Sequence, residues 1–423
     1  MMLCGANIAF AEEGNPALKN KEGMDVYLDN YEGRQKAIES SFKEAQLKTL
    51  EESLPEAGSE TLANLLRYWH PYLEIETRYE DNIYLTPSRS SDIINIYTPG
   101  IRFLSLNESD RYELNTGAKL TSFYHKWFNN SQDPFISIWV DKKLGRNYVK
   151  LDEEFSYNTT PNSSIVADTV GFNTYQYNFF NIKVGREMNL FSIEPSVTRY
   201  DYFYRKDFKK NNSYNETIPS LTGYYQFAPK TSLLFEYDHG IVRYPKKPSP
   251  SKDNRYEQFW FGVKGDITAK INGFMKAGYQ FRKFNNGGDW DKPVVGFDLS
   301  YQFKERTSIL LKLLKTSAQT DYSNQNYYER NRLDLGVVNQ FAFNPKLVLK
   351  VDSFYENDDF PSPTDPTSKE RMDNLFGVST SLKYDLQRWF STLLKYEWKE
   401  DYSNVDSYTY VDHIMSIKFV GTF

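Results

Sequence analysis

The chain has 423 residues, a formal net charge of −5, only 39% hydrophobic residues and 17% aromatics, among them 33 Tyr and 30 Phe. A mean hydropathy of −0.66 and a pI near 5.7, with no run near the roughly 18 apolar residues that a membrane helix needs, exclude a helical membrane protein and argue against a nucleic-acid binder. The composition is short of the Leu, Val and Ala that a large soluble core wants. It suits a barrel in which alternate residues are apolar and Tyr, Trp and Phe form girdles at both membrane interfaces.

Residues 1–11 are apolar and end Ala9-Phe10-Ala11 before Glu12-Glu13, a small-x-small cleavage site, and read as the remnant of a signal peptide. Cys4, the single cysteine, admits no internal disulfide. No small residue precedes it, so it is assigned to the signal remnant rather than to a lipid anchor. Residues 12–70 are charged and rich in Glu, Lys, Ala and Leu. Arg34 to Leu54 places Ile38, Phe42, Leu47 and Leu50 roughly on one face, Pro55 and Gly58 stop the pattern, and Glu60 to Trp69 would form a second short helix. This stretch is expected to be a partly helical periplasmic extension, either a solvated leader or a segment that touches a partner or the barrel mouth.

From residue 71 to 423 the period changes to two. Leu73, Ile75, Thr77 and Tyr79 alternate with Tyr72, Glu74, Glu76 and Arg78, and Met275, Ala277, Tyr279 and Phe281 with Lys276, Gly278, Gln280 and Arg282. Such segments recur about 18 times (16 to 18), as an all-β, antiparallel up-and-down transmembrane barrel requires. The last of them runs to the terminal residue. Val411, His413, Met415, Ile417, Phe419 and Phe423 fall on one face, and Asp412, Ser416, Lys418 and Thr422 on the other. Met415, Ile417, Phe419 and Phe423 therefore resemble the signal read by the barrel-assembly machinery, although Gly421 stands where a large apolar residue is more usual.

The connections alternate in length. Long polar ones fall near 81–92, 158–171, 205–213, 245–254, 318–325, 357–370 and 401–407. Short turns lie between them, such as Gly185 to Asn189, Ala228-Pro229-Lys230 and Asp385-Leu386-Gln387. A bacterial barrel keeps this parity because periplasmic turns are short and extracellular loops long. In hydrocarbon every backbone polar group must be paired, so such strands cross only as a closed barrel.

With the strands laid out, Tyr79-Glu80-Asp81-Asn82-Ile83, Ser91-Asp92-Ile93-Ile94, Thr98-Pro99-Gly100-Ile101, Phe227 to Leu233, Phe343-Asn344-Pro345-Lys346-Leu347 and Phe423 carry a resemblance to the beta-barrel porin family of the second type. The resemblance implies an outer-membrane barrel of a Gram-negative (diderm) bacterium, often one associated with polysaccharide or exopolysaccharide export. The expected function is an outer-membrane channel serving as the exit conduit for a secreted polysaccharide. The alternatives are a general or solute-specific diffusion porin and a structural or adhesive surface barrel. The connections contain no loop of the length usual for an inward-folded constriction, which favours the conduit. Expected partners are the lipid bilayer and lipopolysaccharide, the assembly machinery, a periplasmic polysaccharide-export protein, and polysaccharide or small solutes in the lumen.

If the apolar faces meet lipid, Glu113, Lys119, Lys276, Arg282, Asp298, Lys312, Arg332, Lys350, Asp352, Lys395 and Glu397 are the lumen-lining candidates. Both signs are present. They would form either a corridor that hydrogen-bonds a passing sugar or sets weak ion selectivity, or a set of ion pairs that satisfy one another. No enzyme is expected: Asp238-His239 and Asp412-His413 are neighbours in sequence, and on a strand adjacent side chains point to opposite faces. No cofactor or metal is expected either. Glu356 to Asp359 and Asp401 to Asn404 are read as solvated loops rather than calcium sites, since neither has a metal-loop spacing.

Overall fold

The computed structural model describes residues 68–106, 110–161, 172–206, 210–246, 251–319, 326–363 and 370–423. The expected signal remnant and nearly all of the helical extension lie outside the described residues. Trp69, placed at the end of a helix by sequence, instead opens the first strand.

Eighteen strands follow in chain order: β1 Trp69–Glu80, β2 Asp92–Leu106, β3 Asp110–Phe123, β4 Ser131–Leu144, β5 Asn147–Pro161, β6 Phe172–Met188, β7 Phe191–Tyr204, β8 Tyr214–Ala228, β9 Thr231–Arg243, β10 Asn254–Asp266, β11 Ile271–Phe284, β12 Trp290–Lys304, β13 Thr307–Gln319, β14 Tyr327–Gln340, β15 Leu347–Pro363, β16 Glu370–Gln387, β17 Phe390–Ser403 and β18 Tyr410–Thr422. Each pairs antiparallel with its neighbours in sequence, and β1 also pairs with β18 from Tyr72↔Thr422 to Glu80↔Ile414, so the sheet closes on itself. No helix among the described residues is long and apolar enough to cross a membrane; a closed barrel is built to cross one with strands.

The short connections are tight. Gly145, at φ 65, turns β4 into β5, and Asn189, at φ 52, turns β6 into β7. The second turn is shorter than the expected Gly185 to Asn189, because β6 continues to Met188. The strands reach 18 residues in β16, well beyond the roughly 9–11 that span a bilayer, and so project past it on the long-loop side. That projection explains why β15 continues to Pro363 through Glu356 to Asp359, which the sequence reading had placed partly in a loop. Asp401 to Ser403 likewise belong to β17.

The pleat sorts the side chains. Leu73, Ile75, Tyr97, Ile136, Phe235, Phe261, Leu335, Leu394 and Met415 are exposed on the outer face, while Asp412, Arg330, Glu356 and Tyr200 on the other face are almost wholly buried. Phe423 stacks on Trp389 with ring centroids 5.9 Å apart, and Phe390 on Phe419 at 6.0 Å. These rings thicken the short-turn rim near the closing seam.

Candidate functional site: the inner wall

Register and pleat place all eleven charged candidates on the inward face. Glu113 lies opposite Trp139, Lys119 opposite Asp133, Asp298 opposite Lys312, and Glu397 opposite Ser379. Most of them are tied to charges of opposite sign. Glu113 accepts from both Arg102 and Arg111 at 2.6 Å. Lys276 reaches Glu236 at 2.8 Å and lies 4.8 Å from the Trp260 ring centre. Arg332 bridges Asp334 at 2.6 Å and Glu356 at 2.9 Å. Lys350 meets Asp352 at 3.2 Å, and Lys395 meets Glu397 at 3.0 Å. Arg282 stands apart: it lies over Tyr256 at 4.6 Å, its contact with Glu216 is a long 4.0 Å, and its Nε and Nη1 have no hydrogen-bond partner.

Five candidates share one place. Lys312, Arg332, Lys350, Asp352 and Glu397 line a cavity of about 80 Å³ in the wall between β13 and β17, together with Asp334, Phe354 and Ser379. A cavity of this size holds a few waters among polar partners.

Burial divides the inner wall by height. On the short-turn half, Glu74, Glu113, Asp152, Lys276, Asp298, Lys312, Lys383 and Lys418 are half-buried and reach water. On the long-loop half, inward residues from almost every strand are buried, among them Glu80, Ile94, Phe123, Tyr204, Tyr214, Val242, Tyr256, Trp290, Arg330, Asp373, Asp401 and Asp412.

Three features produce this, and sequence reading identified none of them. First, Asn82 to Thr86 fold against the inner wall: Ile83 and Tyr84 join Ile94, Ile96 and Phe123 in one apolar cluster, and Tyr84 accepts a hydrogen bond from Asn129 at 3.0 Å. Second, an aromatic lane runs inside β6 to β10: Tyr175, Tyr177, Phe179, Tyr200, Tyr202, Tyr204, Tyr214, Tyr244 and Tyr256 form one cluster. Composition alone assigns such rings to the outer girdles; here they face inward.

Third, the tip of the β13–β14 hairpin (its described residues 316–319 and 327–330) leaves the wall. Pairing between β12 and β13 stops at Val295↔Lys315, although β12 begins at Trp290 and β13 continues to Gln319. Above that point, side chains that alternation would turn outward touch inward side chains of β11 and β12 and Tyr244 just past the end of β9. Ser317 Oγ donates to Gln280 Oε1 at 2.8 Å, Tyr327 stacks on Phe284 at 5.6 Å, Tyr244 donates to Gln319 at 3.3 Å, and Glu329 pairs with Lys292. The tip is therefore folded into the lumen. It does what an inward-folded loop would do, without a long loop to announce it.

The motif residues of Asp81, Asn82 and Asp92 serve the wall rather than a ligand. β1 stops pairing with β18 at Glu80, and Asp81 continues the seam by donating its N–H to the His413 carbonyl at 3.1 Å and accepting the His413 N–H at 2.7 Å. Asp92 accepts the backbone N–H groups of Ile93, His125 and Lys126 at 2.7, 2.9 and 2.7 Å, pinning the β3–β4 connection to β2.

Residues 68–421 match the family described as Putative beta-barrel porin 2. The chain belongs to this family. Its place is the outer membrane. Solved barrels similar to this porin include OpdK of Pseudomonas aeruginosa with vanillate, 11% identical over 84% of this chain and 99% of that one at a TM-score of 0.47. Acinetobacter baumannii OccAB3 is 11% identical over 84% and 99%, with a TM-score of 0.44. The siderophore receptor PirA of Pseudomonas aeruginosa is 9% identical over 84% and 80%, with a TM-score of 0.43. No curated protein matches the chain.

Proposed function

We propose that this porin is a diffusion channel for small polar solutes, restricted at its extracellular half. The observation that carries this reading is the inward fold of the β13–β14 tip, tied to β11 through Ser317 and Gln280 at 2.8 Å. A polymer conduit needs a corridor wide enough for a sugar chain along its whole length. A lumen narrowed by a folded-in hairpin, and lined below it by paired charges of both signs, passes small solutes without strong preference for either sign.

A second reading keeps the carbohydrate. The tyrosine lane from Tyr175 to Tyr256 offers rings and hydroxyls of the kind that sugars stack on and hydrogen-bond to. It would serve a polymer only if the folded-in tip moved aside.

The test is single-channel conductance of the refolded chain in planar bilayers, with liposome swelling across solutes of increasing size. Small steady conductance with a sharp size cut-off, indifferent to oligosaccharides, supports the diffusion channel. Stepwise block by one class of long oligosaccharide would move the function to polymer passage.

A further inference from the structure

On the outer wall of β9 to β11, Arg243, Arg255 and Lys283 make no ion pair with any acidic group among the described residues. Arg243 ends β9, Arg255 is the second residue of β10 and Lys283 the penultimate residue of β11, so all three stand at the extracellular ends of adjacent strands. Arg255 is directly opposite Lys283 on one side and Ile241 on the other, and Arg243 lies two residues beyond Ile241 on the same face. All three are exposed, and none makes an ion pair or hydrogen bond with a described residue.

Of the nearby carboxylates, all but Asp291 are already engaged or turned elsewhere, and Asp291 makes no ion pair with any of the three cations. Glu257, below Arg255, is held by His239 at 2.6 Å and by the Tyr237 hydroxyl. Asp253 accepts the Tyr244 N–H at 2.7 Å, and Asp289 accepts the Phe284 N–H at 3.1 Å. Asp291 lies opposite Phe281 on β12 and is exposed without a side-chain partner among the described residues. Asp238 is buried on the inner face beneath Trp260, whose Nε1–H it accepts at 3.2 Å.

Like charges on directly opposed residues destabilise a sheet, and no described residue makes an ion pair with Arg255 or Lys283 to offset that repulsion. The position suggests what does. Immediately below the cations, toward the bilayer, Phe259, Tyr279 and Phe281 are 41%, 40% and 43% exposed on the same outer face. They mark the aromatic girdle where hydrocarbon gives way to headgroups. Guanidinium forks bind phosphate oxygens in pairs, and the stems of Arg and Lys can lie along the rings beneath them.

We propose that Arg243, Arg255 and Lys283 form a binding site for the phosphate groups of a phosphorylated glycolipid of the outer leaflet, whose acyl chains run down the apolar face of β9 to β11. The ligand is the lipid headgroup and not free phosphate, because the girdle supplies contact that only an acylated molecule can use.

The test uses the full chain in detergent, with native mass spectrometry and thermal shift as readouts. The probes are bis-phosphorylated lipid A, fully dephosphorylated lipid A and inorganic phosphate. Binding of the bis-phosphorylated probe is expected to weaken about tenfold or more in the Arg243→Ala/Arg255→Ala/Lys283→Ala variant, and to be largely kept in Arg255→Lys, which retains the charge. Lys230→Ala, in the opposite rim, is expected to bind as the parent does. Dephosphorylated lipid A should bind the parent no better than it binds the triple variant. Equal binding of the phosphorylated probe by parent and triple variant overturns the site, as does equal stabilisation by inorganic phosphate. The three side chains are exposed, so an unchanged unfolding temperature without lipid is expected to show that the triple variant still folds.

Discussion

The side-chain amide of Asn82 donates to the backbone carbonyl of Val411 at 2.9 Å, across 329 positions of sequence. The same amide nitrogen donates to the Thr86 carbonyl at 2.8 Å, and its oxygen accepts the Thr86 N–H at 3.2 Å. One fully buried side chain thus shapes the inward-folded first loop and fastens it to the last strand, above the point where β1 and β18 cease to pair. Removing it leaves buried backbone groups unpaired, a loss of about 1–3 kcal/mol. Asn82→Ala is expected to lower the urea midpoint of the refolded barrel without changing the slope of the transition, and to raise single-channel conductance as the loop loosens. A parent-like midpoint would mean that the seam holds without this residue.

Strand number, order and most boundaries could be read from the sequence because a membrane barrel imposes contrast: Leu73, Ile75 and Tyr79 must differ from Glu74, Glu76 and Arg78. The contrast fades where strands rise above the bilayer. Glu356 and Asp358 read as loop because their outward neighbours Asn357 and Asp359 are polar too, yet both point inward to the fully buried Arg330, at 3.4 and 3.1 Å. Tyrosine is ambiguous for a different reason. Tyr200 and Tyr202 look alike in sequence whether they face lipid or lumen. The folded-in hairpin was beyond any pattern of hydropathy, since it depends on where one ladder ends.

The inner face also carries aromatic rings laid over glycines on the neighbouring strand. Tyr256 is directly opposite Gly240, and a Cβ built on Gly240 would overlap the Tyr256 ring. Gly100 under Tyr72 and Gly185 under Tyr148 repeat the arrangement. A glycine leaves room for the ring, and the ring covers backbone that the glycine would expose. Gly240→Val is expected to cost several-fold in yield of heat-modifiable folded barrel on SDS gels. Tyr256→Ala alone should destabilise by about 3 kcal/mol, the scale for emptying a buried aromatic site. The double variant should recover part of the Gly240→Val loss, because the clash is gone. If the two effects simply added, ring and glycine would be independent.

Releasing the β13–β14 tip offers a direct check on the restriction. Gln280→Ala combined with Lys292→Ala removes the partners of Ser317 and Glu329 while leaving the β13–β14 ladder intact. The Ser317–Gln280 bond is buried, and losing it costs about 1–3 kcal/mol. The partly exposed Lys292–Glu329 pair is worth about 1 kcal/mol or less, so a barrel closed from β1 to β18 should still fold. The expected result is a larger or more frequently switching single-channel conductance and a higher size cut-off in liposome swelling. An unchanged cut-off would mean that the tip does not limit passage.

Ion preference should follow from the pairing of the lumen charges. Glu113 answers both Arg102 and Arg111, each at 2.6 Å, on the half of the inner wall that reaches water. Glu113→Gln keeps the size and the hydrogen-bonding reach of the side chain but removes the negative charge that lies 2.6 Å from two guanidinium groups. Because the site is half-buried, the cations would be screened only in part by salt. The reversal potential in a KCl gradient is therefore expected to move toward anion preference, most at low salt and less as the Debye length shrinks from about 10 Å at 0.1 M to about 3 Å at 1 M. The converse change, Lys276→Met, leaves Glu236 without its 2.8 Å partner and should move the potential the other way. If neither substitution shifted the reversal potential, the permeating ions would not be passing these charges, and the conducting path would have to run elsewhere along the inner wall.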